Sequence, residues 1–301
     1  MRAIVVGAVE STRVALAALA RAPEWQVAAV ITLPPDLASR HSDFVDLAPG
    51  AAAAGAELVL AADGNAPEIV ARVAALAPDM AFVIGWSQIC RADFIEAAGG
   101  AVIGYHPAPL PRLRGRGVIP WTILTSEAIT ASTVFRVDEG MDSGPIIGQR
   151  FFHIGADETA TTLYARHMAA LDGLLGDVLP GLAAGELPGT VQDERYATWA
   201  ARRGPADGII DWRRPAAEVD RLVRAVTRPY PGAGSSTARG PLTIWRVAKW
   251  PEAARHLAAP GQVITRGEDG FAVMCGDGRA LWVGEWVGEL PRQHEILGGR
   301  R

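Results

Sequence analysis

Cysteine is scarce in this chain of 301 residues: there are two, Cys90 and Cys275, far apart and in no paired motif. That spacing argues against a disulfide framework and against a zinc site, so no metal is expected. Excess positive charge is also missing. The formal charge is −4, which disfavours a broad nucleic-acid or membrane-binding face, since such faces need clustered Lys and Arg. Long apolar runs are absent too. The longest apolar region, Val14–Leu33, is broken by Arg21, Pro23 and Glu24, so nothing is expected to span a bilayer. Met1-Arg2 runs straight into Ala3-Ile4-Val5-Val6-Gly7, a strand rather than a secretory core, and the expected address is the reducing cytoplasm. The sequence shows no internal repeat, heptad run or low-complexity tail.

What is there alternates strand and helix. Ala3–Gly7 reads as a buried strand, Ser11–Arg21 as an amphipathic helix capped by Ser11 or Thr12, and Gln26–Thr32 as a second strand. Further strands are predicted at Glu57–Ala61, Met80–Ile84 and Val102–Tyr105, with helices at Pro67–Leu76 and Ala92–Ala98. The pattern is α/β: a Rossmann-like, mostly parallel sheet with helices on both faces. The first turn, Gly7-Ala8-Val9-Glu10-Ser11, is a poor dinucleotide loop, because Val9 stands where a glycine is needed and Glu10 would repel a pyrophosphate. Leu33–Gly50 reads as a loop, either solvated or acting as a gate over a substrate. It sets Arg40 against Asp36, Asp43 and Asp46, a balance unsuited to a phosphate backbone. Gly85-Trp86-Ser87-Gln88-Ile89 follows a strand at the carboxyl end where open α/β sheets place ligands.

The stretch 103–149 carries the chemistry. Ile103-Gly104-Tyr105-His106-Pro107 ends a strand in a histidine, and Leu110-Pro111-Arg112-Leu113-Arg114-Gly115-Arg116-Gly117 follows. The strand-like run Ser132–Val137 then leads into Asp138-Glu139-Gly140-Met141-Asp142-Ser143-Gly144. An imidazole at a strand end and a carboxylate on a later turn are the materials of general base catalysis. Taken singly, a strand-end histidine is more often packed, and an Asp in a glycine turn is ordinary turn chemistry.

Together these motifs resemble the 10-formyltetrahydrofolate-dependent formyltransferase family, nearest to its sugar N-formyltransferase and methionyl-tRNA formyltransferase-like members. The match rests on the x-His segment, Leu-Pro-x-x-Arg-Gly at Leu110–Gly115, and Gly-x-Asp-x-Gly at Gly140–Gly144. The resemblance implies that His106 and Asp142 are catalytic and that 10-formyltetrahydrofolate is the formyl donor. It implies donor contacts from Trp86, Ser87, Gln88, Ile89, Asp138, Gly140 and Met141, the first loop through backbone hydrogen bonds to the pterin ring. Substrate contacts fall to Tyr105, Pro107, Arg114, Gly115 and Arg116. One departure stands out: the family's catalytic trio has an Asn two residues before the His, and here that position is Gly104. The oxyanion donor would then be His106, a backbone N–H, or a water in the space the Asn leaves.

The long helix Thr159–Ala183 has one apolar stripe and reads as core, with His153 and His167 structural or solvated. Gly185–Gly208, poor in periodicity, reads as a linker between an N-terminal domain (1–184) and a β-rich domain (209–301). The latter starts with Asp211-Trp212, a helix at Pro215–Thr227 whose Asp220, Arg221 and Arg224 face solvent, and the proline turn Arg228–Ala233. Short strands at Leu242–Val247, Gln262–Thr265, Phe271–Cys275 and Ala280–Val283 suggest a small OB-like β-barrel with Trp245, Trp250, Trp282 and Trp286 in its core. The expected activity is formyl transfer to a primary amine of a small molecule, first of all a nucleotide-linked amino sugar, with a hydroxyornithine-type precursor or methionyl-tRNA behind it. A 10-formyltetrahydrofolate hydrolase and a non-catalytic folate-binding module are the alternatives. Membrane and nucleic acid are not expected partners, and a homodimer is compatible with the sequence.

Overall fold

The structure is a computed structural model that describes residues 1–298. By contacts the chain divides into two units, one of Met1–Val118, Ala128–Ile154 and Tyr164–Ala201, the other of Ile119–Glu127, Gly155–Leu163 and the chain from Arg202.

The first unit is built on a twisted sheet of seven strands. In chain order these are β1 (Arg2–Val6), β2 (Gln26–Thr32), β3 (Glu57–Leu60), β4 (Met80–Val83), β5 (Val102–His106), β7 (Ile129–Arg136) and β8 (Ile146–His153); the two-residue β6 (Arg114–Gly115) lies outside it. Their spatial order is β3-β2-β1-β4-β5-β7-β8. The first five run parallel, and β7 and β8 add two antiparallel strands. The unit's helices are α1 (Glu10–Arg21), α2 (Ala48–Ala53), α3 (Pro67–Leu76), α4 (Ala92–Ala97) and, from Tyr164 on, α6 (Ala160–Ala183); α5 (Val118–Leu124) belongs, but for Val118, to the second unit.

Strand alternation sorts the core into two layers, as expected for a sheet covered on both faces. Ala3 and Val5 face one way, onto Leu16 and Leu19 of α1 and Leu171, Leu175 and Leu179 of α6. Ile4 and Val6 face the other, onto Ile69 and Val73 of α3 and Phe94 of α4. Trp25 and Phe82 meet edge to face at 5.3 Å, and the Trp25 indole donates to the Leu179 carbonyl.

The start of α1 differs from the expected cap. Val9 is the N-cap, and the Thr12 hydroxyl accepts its N–H at 3.2 Å while donating to the Ile84 carbonyl at 2.6 Å. Gly7 lets the strands approach there: a Cβ would lie 2.0 Å from the Ile84 oxygen. The residues 33–50 are more ordered than a loop. They form a 3₁₀ turn at Pro35–Arg40 and the start of α2, pinned to the turn between β1 and α1 by the Val45 N–H on the Ala8 carbonyl and a Val9–Phe44 bridge. The Pro-Gly pair inside α2 hid that helix.

Residues 185–201, expected within a linker, are tied into this unit. Thr190 and Ile146 exchange backbone hydrogen bonds, and β9 (Trp199–Ala200) pairs in parallel with β6. These links are backbone ladders, invisible to side-chain periodicity.

In the second unit, β10 (Ala233–Thr237), β11 (Gly240–Trp250), β12 (Val263–Gly267), β13 (Gly270–Met274) and β14 (Ala280–Val287) form an antiparallel sheet in the order β10-β11-β14-β13-β12. α7 (Ala216–Val226) packs on it. Arg224 does not face solvent: it is half-buried, paired with Asp220 and donating to the Glu158 carbonyl. Trp245, Trp250, Trp282 and Trp286 are half-buried rather than core. Trp250 and Trp282 pack on a small buried cluster of Ala253, Ile264, Ala272, Met274 and Ala280, and Trp286 pairs with Ile244 and meets the buried Phe271 edge to face, while the fully buried places go to Ile244, Leu281 and Val283. Among the described residues of this unit the buried tryptophan is Trp212. Among the described residues, no helix is long and apolar enough to cross a membrane.

His167 on α6 is fully buried, its Nδ1 bonded to Ser132 Oγ, which also meets the Tyr105 hydroxyl. Burial first, then the charges of His106 and Arg166, pushes its pKa down to about 3. His153, by contrast, is solvated. Below an unfolded pKa of about 6.5 the unfolded chain takes up a proton at position 167 that the folded chain refuses, so this contribution is complete above pH 6.5 and is lost as pH falls toward 3. Denaturant unfolding at pH 5 should show about 2 kcal/mol less stability than at pH 7.5 from this group. His167→Leu should remove that pH step.

Candidate active site

β5 points Gly104 and His106 to one face and Tyr105 to the other. His106 is 5% exposed at the strand end. Its Nε2 lies 2.7 Å from the Leu113 carbonyl. A carbonyl only accepts, so Nε2 carries the proton, and the neutral ring leaves Nδ1 as the base nitrogen. Nδ1 faces Asp142 Oδ2 at 3.7 Å. The tautomer is therefore set by a backbone carbonyl, while Asp142 supplies a countercharge.

The Leu110–Gly117 loop holds that carbonyl in place. Leu113 has φ +58, and its N–H donates to Thr198 Oγ1. Gly115, at φ +103, gives the Asp142 carboxylate its N–H at 2.8 Å; a Cβ there would lie 2.6 Å from the Ala200 carbonyl. Asp142 adopts φ +52, a left-handed conformation that Asp tolerates. Its turn is closed by Asp138, whose Oδ1 accepts from the Gly140 N–H and the Ser143 hydroxyl. Gly144 cannot carry a side chain, since a Cβ would sit 1.8 Å from the Arg136 carbonyl.

A cavity of about 510 Å³ opens beside this pair. Trp86, Ser87, Gln88 and Ile89 form one wall, and Asp138, Gly140, Met141 and Asp142 another; Gly104, Tyr105, Gly115 and Arg116 also line it. Three expected residues do not. His106 stands behind the lining, next to Asp142 and Leu113. Pro107 is outside it. Arg114 is 2% exposed and turned away, forked onto Gln192 and Glu194. The Gln88 side chain is spent on the wall itself, accepting from the Gly64 N–H and donating to the Ala62 carbonyl.

The cavity also includes residues the sequence did not single out. His41 and Asp43 line it from the segment 33–50, which is part of the wall. Asp43 accepts the Tyr164 hydroxyl at 2.6 Å. Burial lowers the His41 pKa against the opposing pull of Asp43, so the ring is neutral near pH 7. Cys90 lines the cavity as a thiol, its pKa pushed up to about 12 by burial. Asp43 carried a hint in its acidic loop; nothing local marked His41.

At Gly104 the structure closes the position to a side chain. Gly104 pairs across the sheet with Phe135, and a Cβ at 104 would meet Phe135 Cζ and Val137 Cγ2, each at 2.9 Å. The place where a side chain would begin is filled by hydrocarbon, although Gly104 itself lines the cavity. Gly104→Ala should lower stability by about 1–3 kcal/mol through overpacking, measured by denaturant unfolding. A companion Phe135→Leu change should recover part of it.

Among the described residues no group of three or more His, Cys, Asp or Glu is arranged to hold a metal. The architecture matches solved structures closely enough to share their fold. HypX from Aquifex aeolicus, in complex with tetrahydrofolic acid, superposes with a TM-score of 0.67 at 17% identity over 94% of this chain, and this chain spans 43% of HypX. WlaRD, a sugar 3N-formyl transferase solved in the presence of dTDP and 5-N-formyl-THF, gives 0.67 at 16% identity, with 96% of this chain and 99% of WlaRD covered. The N-formyltransferase from Helicobacter canadensis, in complex with folinic acid and dTDP-3-aminofucose, gives 0.64 at 17%, covering 94% and 98%. Residues 1–178 match the formyl transferase family and residues 203–289 its C-terminal domain. With the first match spanning more than half of its length, this chain belongs to the formyl transferase family.

Proposed function

We propose that this protein transfers a formyl group from 10-formyltetrahydrofolate to a primary amine on a small molecule, of the class of nucleotide-linked amino sugars. The observation that carries the reading is the cavity in which a histidine–aspartate pair meets the Trp86–Ile89 wall on one side and a polar wall of His41, Asp43 and Arg116 on another. The neighbours that were solved with folates and, in two cases, with dTDP or a dTDP-amino sugar support the donor and the acceptor class.

The donor brings the formyl carbon. The chain's own work begins at His106, whose unprotonated Nδ1 takes a proton from the amine as nitrogen adds to that carbon. Asp142 balances the resulting imidazolium, and the Gly115 N–H keeps the carboxylate aimed. With hydrocarbon at the Cβ position of Gly104, the charge growing on the formyl oxygen falls to the imidazolium, a backbone N–H or a water in the cavity, the three groups considered from the sequence.

The acceptor side falls to Asp43. Of the cavity carboxylates, Asp138 is spent closing its turn and Asp142 serves His106, which leaves Asp43, steadied by Tyr164, to hold the amine. Arg116 on the same wall suits the phosphates of a sugar nucleotide.

His106→Ala and Asp142→Asn should each slow tetrahydrofolate release by about a hundredfold or more, followed by ultraviolet absorbance. Undiminished turnover in either variant would end the assignment. Asp43→Asn should raise KM for the amine acceptor by about tenfold while leaving KM for the folate donor within about twofold.

A further inference from the structure

The loop at 110–117 and the turn at 138–144 meet through the Gly115 N–H and the Asp142 carboxylate, and a second tie joins them from outside both motifs. The side chain that touches both is Gln192, which belongs to neither motif. It lies on the segment after α6 and is 5% exposed. Its amide nitrogen donates to the carbonyl of Asp142 at 2.8 Å and to that of Gly144 at 2.7 Å. Its amide oxygen accepts from Arg114, at 2.8 Å from Nη2 and 3.2 Å from Nε. The amide cannot be turned over, since carbonyls only accept and a guanidinium only donates. Glu194 takes the other edge of the same guanidinium, at 2.7 and 3.0 Å, and Arg114 in turn holds its own pKa-lowering grip on that carboxylate.

The consequence is geometric. Arg114 sits between Leu113, whose carbonyl fixes the His106 tautomer, and Gly115, whose N–H holds the Asp142 carboxylate. Gln192 joins Arg114 to the backbone of Asp142 itself. Both partners of the proton-transfer pair are thus referred to one buried amide.

We infer that Gln192 is a positioning residue for catalysis, setting the Asp142 carboxylate against His106 by clamping the Asp142 and Gly144 carbonyls to Arg114. This role rests on the reading of His106 and Asp142 given above. Gln192 does not line the cavity, so it acts on the turnover step and not on substrate binding.

The test uses the full chain with Gln192→Leu and Gln192→Glu. The second keeps the size of the side chain and its pairing with Arg114, but turns a carboxylate oxygen toward two carbonyls. Each should lower kcat for tetrahydrofolate release by about tenfold or more, since small misplacements of a reacting group are that expensive, with KM for 10-formyltetrahydrofolate unchanged within about twofold. In a cycle with Asp142→Asn, the double variant should be no slower than Asp142→Asn alone, because Gln192 acts through Asp142. Wild-type turnover in both Gln192 variants, or a double variant slowed by the product of the two single effects, would overturn the role. If the unaltered protein shows no turnover of the folate at all, the proposed function fails, and the clamp is then read from hydrogen exchange of the Gly115 amide. Exchange about tenfold faster in Gln192→Glu supports the clamp, and unchanged exchange overturns it.

Discussion

One short loop makes the site a site. From Leu113 to Gly115 the backbone gives His106 an acceptor and Asp142 a donor, and so fixes a proton on Nε2, a base at Nδ1 and a carboxylate 3.7 Å from it. Neither residue of the pair is oriented by the other directly. A backbone that takes left-handed φ at Leu113 and Gly115 has little reason to keep that shape by itself. It keeps it because Thr198, Ala200 and Gln192 hold it from the side, through the N–H of Leu113, the β6–β9 ladder and the Arg114 guanidinium.

The sheet supplies the rest of the geometry. β5 is parallel to β4 and antiparallel to β7, and the loop after β4, the end of β5 and the turn beyond β7 line one cavity. The same pairing sets Phe135 against Gly104 and puts hydrocarbon where a side chain would begin. On the proposed mechanism, a low-dielectric wall at that place would strengthen the attraction between the imidazolium and a negative oxygen.

Much of this was legible in the sequence. Two-residue and 3.6-residue periodicities marked most of the strands and helices of the sheet unit, and the order of the His, Leu-Pro-x-x-Arg-Gly and Gly-x-Asp-x-Gly motifs marked the pair. What escaped was set by contacts distant in sequence. Arg114 reads as a charged residue free to meet substrate, yet Gln192, far along the chain, buries it. The segment 185–201 reads as a linker because it lacks periodicity, while its ties are mostly backbone hydrogen bonds. Trp245 and Trp282 read as core by size, but the fully buried places on β11 and β14 go to Ile244, Leu281 and Val283. The closed space at Gly104 follows from register with β7, which no local pattern reveals.

On the proposed reading the acceptor is an amine held by Asp43, a carboxylate that accepts the Tyr164 hydroxyl on a cavity wall shared with Arg116. The most direct measurement is therefore release of tetrahydrofolate from 10-formyltetrahydrofolate by the unaltered protein, with and without a panel of nucleotide-linked amino sugars. Release that depends on one of these amines is the predicted result. Release at the same rate with no amine present would make the protein a hydrolase and contradict the account.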